Sequence, residues 1–113
     1  MARADLYQGT LDLMILKSLT AGPMHGYAIA RWIKHSSGDY LQVEEGALYP
    51  ALYRMHSKGL IKSKFGLSEN NRKAKYYQLT PKGRRELEKR SSAWRQYAAA
   101  LATVLAAEPE RIQ

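Results

Sequence analysis

The chain has 113 residues, about one domain's worth, and its 18 Lys and Arg against 10 Asp and Glu leave a formal net charge of +8. That surplus points to a polyanionic partner, nucleic acid ahead of an acidic membrane surface. Cysteine is absent, which excludes disulfides, thiolate metal sites and a thiol nucleophile, and fits a cytoplasmic setting.

Met1 to Asp5 are not followed by the apolar run of a signal peptide. No apolar stretch approaches the roughly 20 residues needed to span a bilayer, so no membrane partner is expected. Asp5 and Gln8 have the spacing of a capping box. They open a Leu-rich segment (Leu11, Leu13, Met14, Ile15, Leu16, Leu19) that is apolar nearly all round and reads as a helix buried on more than one side. Gly22-Pro23 stops it.

A second helix is predicted from about His25 to Ser36, with Ile29, Ala30 and Ile33 inward and Arg31 and Lys34 in solvent. A third runs from about Gly46 to Lys58. Leu48, Leu52 and Met55 share one of its faces, with Ala51 beside them, and Gly59 ends it. Pro50, lacking an N–H, sits best within about the first turn. The face away from the core carries Gly46, Pro50, Tyr53, Arg54 and Ser57, with Tyr49 on the flank.

The period then changes from helical to alternating. Ile61, Ser63 and Phe65 alternate with Lys62 and Lys64, which predicts a strand. A turn-rich loop from Gly66 to Asn71 leads to a second strand, Lys75 to Leu79, with β-favouring tyrosines. Thr80 and Pro81 then have the chemistry of an N-cap and a first helical residue, opening a helix to about Ala107. Leu87, Trp94 and Leu101 recur every seven residues, and Tyr97 and Val104 add a second seam.

The expected fold is therefore mainly α: a winged helix-turn-helix of three helices plus a two-stranded β wing over residues 1–79, and a long C-terminal dimerisation helix in 80–113. In such a fold the third helix lies in the DNA major groove and the hairpin reaches flanking phosphates. The face bearing Tyr49, Pro50, Tyr53 and Arg54 is small at its start, which lets it approach base edges, and the Arg54 fork suits guanine or phosphate. Lys62, Lys64, Arg72, Lys73 and Lys75 in the hairpin oppose only Glu69 and suit phosphate. Asn70 and Asn71 fit the turn itself.

A lone long helix with a heptad-like seam needs a partner. A two-fold homodimer through Leu87, Trp94, Tyr97, Leu101 and Val104 supplies one and predicts a pseudo-palindromic operator in double-stranded DNA.

An enzyme is not indicated. His25, His35 and His56 lack metal-ligand spacing, Glu44-Glu45 are adjacent rather than opposed, and no phosphate-cradling Gly-rich loop occurs, so neither metal nor cofactor is expected. The alternative is a non-specific architectural DNA-binding or RNA-binding winged-helix protein. An exposed third helix favours DNA, because A-form RNA closes its major groove.

Four blocks carry a family resemblance: Leu11-Asp12-Leu13-Met14-Ile15-Leu16-Lys17-Ser18-Leu19, Gly22-Pro23-Met24-His25-Gly26-Tyr27, Gly46 through Met55, and Ser68 through Thr80. In this order they resemble the PadR family of bacterial winged-helix regulators, over about Leu6 to Leu105. The length resembles the short subfamily with one dimerisation helix. The resemblance implies a repressor whose DNA affinity falls when an effector binds. It implies major-groove contacts from Ala47, Tyr49, Pro50 and Arg54, and wing-tip contacts from Asn71, Arg72 and Lys73. The sequence departs from relatives at Ala47, where they often carry Ser or Thr; a methyl contact to thymine replaces the hydroxyl bond. Trp94 stands where some relatives present an aromatic to flat ligands, which implies an effector site for a flat aromatic molecule.

Overall fold

The computed structural model of the protein describes residues 8–110. Its elements in chain order are α1 (Gln8–Ser18), a single 3-10 turn (Leu19–Ala21), β1 (Met24–His25), α2 (Gly26–Ser36), α3 (Glu45–Ser57), β2 (Ile61–Leu67), β3 (Lys73–Leu79) and α4 (Pro81–Ala106). The expected capping box rests on Asp5, which lies outside the described residues.

The core is built where the periodicity places it. Leu11, Ile15, Leu16 and Leu19 from the first helical segment meet Ile29 and Ile33 of α2 and Leu48, Ala51, Leu52 and Met55 of α3. Leu60, Ile61, Tyr77 and Leu79 close it from the sheet. Burying one such aliphatic side chain contributes about 1.5–3 kcal/mol, so this cluster is the main stabilising term.

Among the described residues two polar side chains are buried in it, Asp12 and Ser18. Ser18 is satisfied by donating Oγ to the Ile15 carbonyl at 2.6 Å. Asp12 is satisfied by an ion pair treated below.

The expected two-stranded wing, β2 and β3, is joined by β1 in a three-stranded sheet. The order is β1-β3-β2, antiparallel throughout. Met24 pairs with Tyr77 and His25 with Tyr76. β1 has only two residues, too few to display alternation in the sequence. β2 and β3 each extend two residues further toward the turn than expected, with Gly66 paired to Ala74 and Leu67 to Lys73. Asn71 holds the turn at φ 59, a left-handed conformation that Asn tolerates better than most residues.

Helix ends follow their caps. His25 caps α2, its Nδ1 accepting from the Ala28 amide at 3.2 Å. Thr80 Oγ1 accepts from the Gly83 amide at 3.0 Å, and Pro81 follows at the first helical position. Pro50 lies deeper than expected, as the sixth residue of α3. It cannot donate to the Gly46 carbonyl one turn back.

The start of α4 is seated on the turn between α3 and β2. The Leu60 carbonyl accepts from the Thr80 amide at 3.1 Å. Lys82 Nζ donates to the Lys58 carbonyl at 2.8 Å. Gly83 approaches so closely that a Cβ on it would fall 2.0 Å from the Leu60 carbonyl oxygen.

From there Leu87 enters the core, at 7% exposure. This corrects the assignment of Leu87 to a dimer seam: its heptad position is shared with Trp94 and Leu101, but it is covered by its own chain. Past Ser91 most of α4 is exposed, and the molecule measures 66 × 28 × 22 Å. Among the described residues no helix is long and apolar enough to cross a membrane.

Candidate nucleic-acid interface

The exposed residues of α3 include one acid, Glu45, in the first turn and His56 in the last, with uncharged side chains between them. Gly46, Tyr49, Pro50, Tyr53 and Ser57 face out, and Tyr53 is 76% exposed. Ala47 is half-buried and packs on the core, so its methyl is less available than expected.

Tyr49 both packs and stays open. It lies over Gly26, where an added Cβ would come within 2.7 Å of the Tyr49 hydroxyl. It also neighbours Tyr77, whose hydroxyl is pushed above its ordinary value first by burial and then by Tyr49.

Arg54 departs from its expected place. Its Nη2 donates to Asp12 Oδ1 at 2.7 Å, turning the guanidinium from the outer face toward α1. The Asp12 side chain is 8% exposed and that of Arg54 32%, so the pair is largely shielded from water. Arg90 of α4 approaches the other carboxylate oxygen at 3.7 Å. Arg90 Nε also donates to Glu86 Oε2 at 2.6 Å. That hydrogen bond holds the Glu86 carboxyl below its usual range, against an opposing push from partial burial and with help from the charges of Arg90, Lys89 and Lys58.

The sheet divides the wing cations between two faces. Strand alternation places Ile61, Ser63, Phe65 and Leu67 on one face and Lys62 and Lys64 on the other. Lys75 and Lys73 stand opposite Phe65 and Leu67, and so share the face that continues into the core. Their ammonium groups lie 4.6 Å (Lys73) and 5.8 Å (Lys75) from the Phe65 ring centre. Lys73 and Lys75, with Arg72, line a cleft of about 370 Å³ together with Tyr49 and the start of α2. Lys62 and Lys64 lie outside that cleft and line a separate groove beside Pro23 and Gln78.

Sequence reasoning missed four residues, Asp12, His25, Tyr27 and Arg31, and one strand, β1. Asp12 was legible as the lone acid in an apolar helix. His25, Tyr27 and Arg31 also line the cleft, yet in the sequence they read as a cap and a solvated face. β1 left no signal.

A second hollow, of about 600 Å³, lies between α1 and α4 where Trp94 and Tyr97 meet Asp12, Arg54 and Arg90. The Trp94 and Tyr97 rings are 5.8 Å apart between centres. Beyond them the α4 seam is bare: Tyr97 is 60%, Leu101 44% and Val104 68% exposed, and Leu105 extends the apolar surface. Among the described residues no group of His, Cys, Asp or Glu is placed to hold a metal ion.

Residues 15–89 match the transcriptional regulator PadR-like family. An uncharacterised protein of Lysinibacillus sphaericus is 30% identical over 94 residues, spanning 83% of this chain and 86% of that protein. Among solved structures, a PadR-like transcriptional regulator from Bacillus cereus is 28% identical with a TM-score of 0.78, over 92% of this chain and 99% of that one. A PadR family transcription regulator from Clostridium difficile is 33% identical with a TM-score of 0.74, over 88% of this chain and 99% of that one.

Proposed function

The chain belongs to the PadR-like family of transcriptional regulators, which are not enzymes, and on that premise we propose that it represses transcription by binding a pseudo-palindromic operator in double-stranded DNA as a homodimer in the cytoplasm. Residues 1–79 carry the DNA contacts, and 80–113, through α4, the dimer contacts.

One observation carries the DNA reading: the exposed, tyrosine-bearing face of α3 stands beside a cleft whose other wall is the cationic wing. α3 enters the major groove and reads base edges through Tyr49, Pro50 and Tyr53, with Ala47 at its margin, by hydroxyl and apolar contacts. Arg72, Lys73 and Lys75, at the turn with Asn71, neutralise phosphates without reading sequence. Lys62 and Lys64, on the opposite face, meet the far wall of the minor groove.

Dimerisation is supported by the bare distal seam of Trp94, Tyr97, Leu101 and Val104, an apolar surface that a lone helix leaves in water. Relief of repression is assigned to a flat aromatic effector stacking on Trp94, in the hollow shared with Tyr97 and the Asp12–Arg54 pair. Trp94 fluorescence in a Trp32→Phe background, titrated with flat aromatic compounds, checks this. A signal that ignores the whole panel removes the effector site.

The deciding experiment selects bound sequences from a randomised duplex pool, read by fluorescence anisotropy with a salt titration. A two-fold symmetric motif with half-sites about one helical turn apart is the expected result. Salt-sensitive binding with no enriched motif replaces this reading with the architectural one, and preference for duplex RNA replaces it with an RNA-binding one.

A further inference from the structure

The cleft beside α3 has cations on both walls. On the wing wall stand Arg72, Lys73 and Lys75; on the α2 wall stands Arg31. Glu69 is the single acid among the lining residues. Like charges facing one another across a cleft repel unless an anion lies between them.

Arg31 is not loose on its wall. Its guanidinium lies over the Tyr27 ring, 5.3 Å from the centre. Tyr27 stacks on His25, with ring centres 6.5 Å apart and planes 15° apart. His25 meets Tyr76 of β3 edge-on at 5.4 Å. Tyr76 in turn donates its hydroxyl to the Leu67 carbonyl at 2.9 Å. A continuous row of rings therefore ties α2 to the wing and sets the two cationic walls at a defined separation. Lys73 and Lys75 are likewise held over Phe65.

We propose that Arg31 is a phosphate-contacting residue, positioned by Tyr27, which clamps one sugar-phosphate strand of the DNA against the wing cations. The clamp rests on the DNA reading above and adds a contact from α2 to those of α3 and the wing. The physical reason is geometric. A helix in the major groove and a wing in the neighbouring minor groove are separated on B-form DNA by one sugar-phosphate strand. That strand must pass between α3 and the wing, and the cleft that contains Tyr49, Arg31 and Lys73 lies there.

The test measures affinity for operator and for unrelated duplex DNA across a salt series. Neutralising one phosphate contributes about 0.9 to the log–log salt slope, equivalent to about eightfold in affinity near 0.1 M salt. Arg31→Ala is expected to lose about that factor equally on both duplexes, with the slope reduced by about 0.9. Arg31→Lys keeps most of the slope. Tyr27→Phe binds as the parent does, while Tyr27→Leu loses part of the affinity. Arg31 and Tyr27 are both exposed, so melting temperatures should stay unchanged; Arg31→Gln repeats the measurement if Arg31→Ala does not fold.

Lys73→Ala separates the two ideas. Weakened binding for Lys73→Ala with none for Arg31→Ala overturns the clamp and leaves the wing reading intact. Unchanged binding for both removes this face from DNA altogether. A third arm titrates inorganic phosphate at fixed ionic strength. Saturable displacement of DNA that Arg31→Ala abolishes would assign the cleft to a free anion and overturn the strand.

Discussion

The Nη2 atom of Arg54 on α3 stands 2.7 Å from Oδ1 of Asp12 on α1, and the second oxygen of that buried carboxylate is approached by Arg90 of α4 at 3.7 Å. One carboxylate thus joins α3, α1 and α4. An exposed ion pair would be worth little; this one is mostly out of water, so removing one partner leaves a charge poorly compensated.

Asp12→Ala is therefore expected to lose about 2 kcal/mol of stability, read as a fall of roughly 8 °C in thermal unfolding. Arg54→Ala should lose a similar amount while the preferred operator stays the same at every base pair. A relaxed preference at one position would return Arg54 to the set that reads bases.

Acid should weaken the α4 end of the same network. The carboxyl of Glu86 sits below its ordinary value of 4.5, chiefly through the hydrogen bond from Arg90. A carboxyl depressed by folding contributes stability above that ordinary value and loses it as pH falls through the folded value. Glu86→Gln should thus unfold at a lower temperature than the parent near neutral pH, and the gap should close on acidification below about 4.5. A gap that stays constant down the titration would remove Glu86 from the ledger of pH-dependent groups.

Gly26→Ala probes the outer face of α3 without replacing any of its residues. The new Cβ would fall 2.7 Å from the Tyr49 hydroxyl, so the ring must move. Weakened operator binding is the expected outcome, with a stability loss of about 1 kcal/mol, the low end for overpacking. A companion Tyr49→Ala change should remove the clash. If Gly26→Ala binds as the parent does, the position of Tyr49 does not matter to DNA.

Leu101→Asp places a charge in the bare seam of α4. Sedimentation should give monomers, and operator affinity should drop steeply because two half-sites are no longer read together. Leu87→Asp should instead unfold the chain, since Leu87 is in the core of its own molecule. A Leu101→Asp protein that still sediments as a dimer would move the interface elsewhere.

The fold was largely legible because its signals are local. Leu48, Leu52 and Met55 recur at helical spacing, and Thr80 and Pro81 announce a helix start by their own chemistry. What stayed hidden depends on partners distant in the chain. A helical wheel places Arg54 outward, but its long side chain reaches an acid 42 residues away. Heptad spacing groups Leu87 with Trp94 and Leu101 without revealing which of them its own chain covers. The wing cations looked like one cluster until the pairing of Phe65 with Lys75 divided them between two faces. Two residues of β1 fall below what any period can reveal.

The seating of α4 gives the molecule a mechanical character. Thr80, Lys82 and Gly83 fasten its root to the carbonyls that follow α3, and the helix then runs 26 residues, about 39 Å, without a break. It has the form of a lever with its fulcrum at the foot of α3. A small rotation imposed along it, at Trp94 or further out at Leu101, would reach Lys58 and Leu60 as a tilt of α3. In a two-fold pair such levers would cross, and their crossing angle would set the distance between the two reading heads.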